Sequence, residues 1–318
     1  MGWKKVLFIY NPVSGRSLIK SYLADILQIL SGADYTIECY PTRGKGDARR
    51  YARQLTEEYL YVVCAGGDGT LDEVVSGLME NPSVPPVPVG YIPLGTTNDF
   101  ASSLGIPSDP LKAAQAIVSG RAYECDLGWF NHHEYFTYVA AFGAFTETSY
   151  GTPQELKNML GHAAYILQGI TELGNIRTYP MRVETEEESF EDNFVFGMIS
   201  NSRSIGGIEG IQGKDVDLQD GLFEATLIRM PQNLPEINDL VQYLSGAVTE
   251  NALVYHRKVR GITLTSPEKV RWTRDGEDGG AHRRVALTAL QRRLKILVPP
   301  EIDTGREVIH AKDGEEEE

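Results

Sequence analysis

Long apolar runs are missing from this 318-residue sequence: no window offers about 18 consecutive apolar residues, so a membrane-spanning helix is not expected. Cysteine is scarce. Cys39, Cys64 and Cys125 are widely spaced and odd in number, which argues against a disulfide framework or a zinc cluster and fits a reducing compartment. Basic residues are outnumbered, 30 Lys and Arg against 44 Asp and Glu for a net charge of −14, and so acidic a chain lacks the basic face that binding to nucleic acid needs. Nucleic acid is therefore not an expected partner. Familiar motifs are missing too: there is no G-x-x-x-x-G-K-[ST] loop, no G-x-G-x-x-G after the first strand-like segment and no G-x-S-x-G elbow. Those absences exclude a P-loop ATPase, an ordinary dinucleotide fold and a serine hydrolase. His132 and His133, in a hairpin-like F-N-H-H-E, read as turn residues rather than metal ligands. The opening M-G-W-K-K-V-L-F-I-Y enters a strand with no apolar leader pattern, so a cytoplasmic protein is expected.

What is present is a repeating unit of apolar strand, glycine-rich turn and amphipathic helix in the first third. Strands are expected at residues 5–10, 35–40, 60–65 and 87–92. Helices are expected from Leu18 to Leu30, over 48–58, and through Leu71, Val74, Val75 and Leu78 at i, i+3, i+4 and i+7. A further helix follows Asp109 and Pro110, an N-cap with proline behind it. Strands alternating with helices at this spacing mean a parallel sheet covered on both faces. Near Cys125 the grammar changes to strands joined by hairpins or loops, at 135–139, 181–185, 194–199, 222–228, 259–265, 270–273 and 285–289, interrupted by helical stretches near 154–173 and 235–244. The expected division is an α/β domain over residues 1–126, a mainly antiparallel domain over 127–298, a segment at 299–311 returning to the first, and an acidic tail at 312–318. Arg283, Arg284, Arg292, Arg293 and Lys295 alternate with apolar residues, the pattern of a wet strand face or of a basic patch for a membrane surface.

In an open parallel sheet, ligands bind beyond the carboxyl ends of the strands. Three loops there are rich in glycine and hydroxyl residues: N-P-V-S-G (Asn11, Pro12, Val13, Ser14, Gly15), G-G-D-G-T (Gly66, Gly67, Asp68, Gly69, Thr70) and G-T-T-N-D (Gly95, Thr96, Thr97, Asn98, Asp99). Each offers backbone N–H groups and a helix dipole to a phosphate. With them stand the carboxylates Asp68 and Asp99 and a distant D-G-E, Asp275, Gly276 and Glu277. Phosphate-cradling amides, acids for a magnesium ion and a group to accept a hydroxyl proton are the requirements of phosphoryl transfer.

G-G-D-G-T followed by P-L-G-T-T-N-D-F-A, with N-P-V-S-G ahead and D-G-E behind, closely resembles the bacterial lipid kinases that carry a diacylglycerol kinase catalytic domain. G-G-D-G-T alone is shared with NAD kinases and phosphofructokinases; the combination is more specific. The resemblance implies an N-terminal α/β nucleotide-binding domain of NAD kinase/diacylglycerol kinase type and a C-terminal antiparallel β-sandwich that helps form the lipid site. It implies ATP and Mg2+ as cofactors, with ATP on Asn11 to Gly15, Thr42, Gly66 to Asp72 (Leu71 included) and Thr96. It further implies Glu277 as general base, Asp275 as its support, Asp68 and Asp99 on magnesium and phosphates, and a second magnesium on Asp217, Asp220 and the carbonyl of Leu222. The family's proline before that second-metal loop is absent here, where the chain reads I-Q-G-K-D-V-D-L-Q-D-G.

From spacing alone, Asp217 and Asp220 read as turn formers rather than metal ligands, Asp275 and Glu277 read equally as a hairpin tip or as catalytic, and Asp72 and Glu73 read as helix-start acids. The reading carried forward is a lipid kinase acting on a diacylglycerol-like hydroxyl to give a phosphatidic-acid-type product. Its alternatives are an NAD kinase, a non-catalytic nucleotide or lipid sensor, and a scaffold acting through the β domain. The expected partner is a lipid substrate met by transient contact with a membrane surface; a homodimer is left open. An apolar mouth lined by 138–145 and 163–170 is expected if those stretches are not simply core.

Overall fold

The run K-K-V-L-F-I-Y forms β1 (Lys4–Tyr10), whose Val6, Leu7, Phe8 and Ile9 are all buried. A strand buried on consecutive residues has both faces covered, and its neighbours are parallel to it: β2 (Tyr35–Pro41) on one side and β3 (Tyr59–Gly66) on the other, with β4 (Val89–Pro93) beyond β3. The computed structural model describes residues 4–31, 35–143, 177–202, 204–205, 208–209, 216–244, 247–248 and 250–300. Between these strands run α1 (Ser14–Ser17), α2 (Ile19–Leu30), α3 (Asp47–Arg53) and α4 (Asp68–Met79), followed by α5 (Asp99–Ser103) and α6 (Pro110–Ser119). Helix α2 buries Ile19, Ile26 and Leu30, one stripe at helical spacing. At the head of α6 the Asp109 carboxylate accepts from the amides of Leu111 and Lys112, with Pro110 at the first helical position.

Two helix boundaries differ from the periodicity. The first helix is split, because Ser17 takes φ +67° and separates α1 from α2. The helix expected over 48–58 stops at Arg53: Leu55 turns into the core, and the Glu58 carbonyl accepts from Lys5 N–H at 3.0 Å, drawing the chain into the sheet.

The second unit opens with β5 (Arg121–Phe130), β6 (Glu134–Phe136) and β7 (Val139–Gly143), and continues with β8 (Tyr179–Glu184), β9 (Ser189–Ser200), the short pair β10 (Ser204–Ile205) and β11 (Ile208–Glu209), and β12 (Phe223–Arg229). Helix α7 (Leu234–Leu244), β13 (Val254–Val259), β14 (Gly261–Arg274) and β15 (Glu277–Val298) complete it. Its ladders are antiparallel, in the order β13-β12-β9-β7-β14-β15, with β8 spanning β9 and β14. The helix expected near 154–173 lies outside the described residues. Buried side chains form two main clusters, one around Val6, Phe8, Val63, Leu71 and Tyr91, the other around Phe136, Phe142, Phe194, Trp272 and Leu287.

Strand β15 joins the two units. Its first half pairs with β14, its second half pairs with β5, and Ile296 and Leu297 pair in parallel with Val89 and Gly90 of β4. Residues 296–297 thus already pair with the first sheet; of the segment expected to return at 299–311, residues 301–311 lie outside the described residues. The expected boundary at Asp126 falls within β5, where two strands cross together. The ladder is irregular between Leu290 and Leu294, with Arg292 at φ +51°, and the buried Asp126 carboxylate holds this bend by accepting from Arg292 N–H (2.7 Å) and Gly221 N–H (2.6 Å). Arg283, Arg284, Arg293 and Lys295 are exposed while Val285, Leu287, Leu294 and Ile296 are buried, the alternation of a strand with one wet face.

Candidate active site

Parallel register brings the carboxyl ends of four strands to one edge: Tyr10 lies opposite Pro41 and Ala65, and Gly66 opposite Pro93. The ladder runs one rung further, with Asn11 N–H on the Ala65 carbonyl (2.9 Å), Thr42 N–H on that of Tyr10 (2.9 Å) and Leu94 N–H on that of Gly66 (2.7 Å). The three glycine loops therefore start side by side. Their glycines are in contact as backbone: a Cβ added at Gly15 would stand 2.4 Å from the Leu94 carbonyl oxygen, and one at Gly95 2.8 Å from Gly67 Cα. Gly15 also has φ +55°. Side chains there would force the loops apart, so glycine is what lets them form one cradle. Asn11 closes its loop by accepting from Val13 N–H (3.0 Å), and Asn98 closes the third by bonding both the N–H (2.9 Å) and the carbonyl (3.0 Å) of Gly95.

Asp68 is the first residue of α4 and Asp99 the first of α5. The Asp68 carboxylate accepts from the backbone N–H of Asp99 and, at 3.3 Å, from the Tyr91 hydroxyl. Burial, and then the charges of Asp99 and Asp275, push Asp68 up to about 7. The buried Tyr91 phenol is pushed up as well, by burial and by Asp68, and so stays a donor. Asp68, Asp99 and Asp275 thus bring three carboxylates to one corner of the site.

The distant D-G-E closes onto the same edge. Asp275 (φ +48°) and Gly276 (φ +81°) are the two central residues of the β14–β15 hairpin, the backbone of a type I′ turn, and Glu277 pairs across it with Arg274. Asp275 is buried and fully engaged: Oδ2 accepts from Thr137 N–H (2.5 Å) and Oγ1 (2.9 Å), Oδ1 from the N–H groups of Tyr138 and Val139 (both 3.0 Å), while its own N–H donates to the Val139 carbonyl (2.9 Å). It is the clamp that holds the turn. Glu277 projects beyond it, exposed, and a Cβ placed on Gly69 would lie 3.1 Å from its Oε1. The hairpin tip of the second unit thus overhangs the first turn of α4. Lys45, on the loop into α3, donates to Glu277 Oε2 at 3.0 Å, and this bond raises the lysine above its ordinary pKa.

Other expected site residues fall in different places. Ser14 opens α1, Pro12 and Val13 form the exposed turn before it, and Thr96 is exposed at the tip of the third loop. Thr70 packs on Gly66, where an added Cβ would meet its side chain at 2.6 Å. Leu71 is a correction: its side chain is fully buried in the core and its N–H is spent on the Gly67 carbonyl, leaving neither for a nucleotide. Asp72 is another. It lies among the charges of Asp275, Arg274, Glu134 and Arg49, with a buried Oδ1 that makes no hydrogen bond, and burial raises it well above the carboxylate range. The stretch 138–143, proposed as mouth or core, is core: every residue of β7 is buried. Residues 144–145 and 163–170 lie outside the described residues.

At the loop proposed for a second magnesium, Asp217 Oδ1 accepts from Gln219 N–H (3.0 Å) and Asp220 Oδ1 from Leu222 N–H (2.9 Å), as turn-forming aspartates do. The cation against Asp220 Oδ2 is Lys258 Nζ, at 3.1 Å, which also stands 3.6 Å from the buried Glu224. Among the described residues no three His, Cys, Asp or Glu side chains gather to hold a metal. Among the described residues, an ammonium thus stands against Asp220 where the resemblance implies a second magnesium. Sequence reasoning missed Tyr91 and the loop-closing role of Asn98. Glu73, expected to serve its own helix start, accepts from the N–H groups of Gly46 (2.7 Å) and Ala48 (3.1 Å) and so caps the neighbouring helix. Asn98 was in view within G-T-T-N-D; Tyr91 gives no signal in an apolar strand.

A glycine cradle at the ends of parallel strands, facing carboxylates and a glutamate borne by a second unit, defines a two-domain kinase. Comparison with known proteins carries this further. Residues 5–130 match the diacylglycerol kinase catalytic domain, and residues 148–298 match the YegS C-terminal NAD kinase beta sandwich-like domain. The chain is 34% identical to a diacylglycerol kinase of Bacillus subtilis over 94% of its own length and 97% of the relative's, and 35% identical to one of Staphylococcus aureus over 94% of each. A solved structure from Bacillus anthracis superposes with a TM-score of 0.77 at 26% identity, covering 94% of this chain and 99% of that one. The chain belongs to the diacylglycerol kinase family of lipid kinases. Among the described residues no helix is long and apolar enough to cross a membrane.

Proposed function

We propose that this enzyme transfers the γ-phosphate of ATP, supplied with Mg2+, to the hydroxyl of a diacylglycerol-like lipid at a membrane surface, yielding a phosphatidic-acid-type product. The observation that carries the reading is the overhang of Glu277 on Gly69, which sets a proton acceptor over the first turn of the helix that follows the G-G-D-G-T loop.

The chain's own groups supply most of what transfer needs. The backbone of the Asn11–Gly15, Gly66–Gly69 and Gly95 loops supports contact with phosphate oxygens, since Gly15 lies against the Leu94 carbonyl and Gly67 against Gly95 with no Cβ to part them. The lipid hydroxyl gives its proton to the Glu277 carboxylate as its oxygen bonds to the γ-phosphorus; the bond from that phosphorus to the bridging oxygen breaks, and its electron pair leaves with ADP. Asp275 holds the turn and does not exchange the proton, its oxygens being committed to Thr137, Tyr138 and Val139. Asp68 and Asp99 would hold a magnesium ion in one specific sense: their carboxylates stand together, and burial first, then the charges of Asp99 and Asp275, push Asp68 up to about 7, a cost that a divalent ion would offset. Among the described residues too few carboxylates gather for a metal cage, so Asp68 and Asp99 would hold an ion that arrives with the nucleotide. Such an ion neutralises charge on the transferring phosphoryl group.

Labelled ATP offered with diacylglycerol in mixed micelles, and separately with NAD, tests the assignment by the mass of the product. Phosphatidic acid is expected; phosphorylated NAD alone would contradict it.

A further inference from the structure

The most connected group of charges outside the cradle lies where α3 and α4 face the second unit. Arg49 of α3 grips Glu80 at the end of α4 with two donors, Nε at 3.1 Å and Nη2, and its Nη1 donates to Glu134 Oε2 of β6 at 3.1 Å. The same Glu134 oxygen lies 3.4 Å from Arg274 Nη1. Arg274 donates from Nη1 to the Tyr135 carbonyl (2.8 Å), lies over the Phe130 ring at 5.6 Å, and is mostly buried. It is also the residue before Asp275 and the cross-strand partner of Glu277. An unbroken line of ion pairs, Glu80–Arg49–Glu134–Arg274, therefore runs from the helix that carries Asp68 to the turn that carries Glu277.

Helix α3 is a rigid intermediate for this line. Glu73 of α4 holds its first amides, and α3 sits so close on α4 that a Cβ at Gly77 would stand 2.2 Å from the Arg49 carbonyl oxygen. The clamp on Asp275 fixes the turn only within the second unit. Arg49 is what refers that turn to α3 and α4, and the Lys45–Glu277 pair, exposed on both sides, is too weak to do so alone.

We propose that this line is a positioning device, and that Arg49 and Glu134 are positioning residues which set Glu277 against the phosphate loops for transfer. The proposal rests on the reading of Glu277 as the proton acceptor. Glu134 lies between two guanidinium groups, so removing its charge converts two attractions into one repulsion and displaces Arg274 together with the turn. Misplacement of a reacting group by about 1 Å is enough to cost on the order of 100-fold in rate.

The test is steady-state kinetics and thermal melting of Glu134→Gln, Arg49→Met and the double variant, with Glu277→Gln as reference. Each single variant is expected to lose about 10- to 100-fold in kcat. The KM for ATP and the melting temperature should stay close to those of the parent, because the cradle and both cores are untouched. The double variant should be no worse than the poorer single one, since both changes break the same line. Parental kcat in Glu134→Gln would overturn the proposal, as would losses that multiply in the double variant or a kcat loss tracked by melting temperature and KM. Normal turnover in Glu277→Gln would remove the base reading itself; an inactive Glu277→Gln beside a fully active Glu134→Gln removes only the positioning device.

Discussion

Asp68 couples stability to function at a single carboxyl. Its folded-state pKa, about 7, is raised above the ordinary 3.8, so the native state holds the proton more tightly than the unfolded chain does. The stability this provides is full below about pH 4 and is lost as pH rises through 7. In magnesium-free buffer Asp68→Asn should therefore be the more stable protein at pH 8, by on the order of 2 kcal/mol, with the gap closing toward pH 4 in urea unfolding. The same variant should lose at least about 100-fold in transfer if the carboxylate serves the metal. Asp275 gives the opposite expectation. Asp275→Ala strands the amides of Thr137, Tyr138 and Val139, so a loss of about 3 kcal/mol should accompany the loss of turnover, read by the same unfolding series. Asp68 was readable as a site residue because an acid among glycines is unusual. The clamp role of Asp275 was not, because its partners lie more than 130 residues away in the chain.

The helices α3 and α4 show how close packing serves the site. Gly77→Ala puts a methyl 2.2 Å from the Arg49 carbonyl oxygen and 2.9 Å from Ala52 Cβ, neither of which can turn aside. A destabilisation of about 1–3 kcal/mol and a lowered kcat are expected, measured by melting and turnover; an unchanged protein would mean that α3 is not held as described. The parallel strands of the first unit were legible because they are unbroken apolar runs, and α6 because Asp109 and Pro110 mark its start. Strand β15 was legible only over 285–289. Its other residues are mostly charged or glycine, and their place in a 22-residue strand depends on β5 and β14 pairing along it. The early end of α3 has the same kind of cause, a sheet contact at Glu58 that no helical pattern reveals.

Across the whole molecule, β15 links the base-bearing hairpin to the sheet that carries the cradle, and Asp126 and Lys258 hold the loops around it. Lys258 departs from what the family resemblance implies, a metal at Asp217 and Asp220. Lys258→Met should cost about 1–2 kcal/mol, and magnesium without nucleotide should restore stability to that variant while leaving the parent's melting temperature unchanged; magnesium stabilising the parent equally would contradict the assignment. The central claim is that the hairpin of the second unit brings a proton acceptor to a phosphate held by the first. Glu277→Gln tests it most directly, by the rate of phosphatidic acid formation from labelled ATP and diacylglycerol alongside nucleotide affinity. The account predicts a loss of about 100- to 10,000-fold in rate with ATP affinity nearly unchanged. Turnover at the parental rate would contradict it.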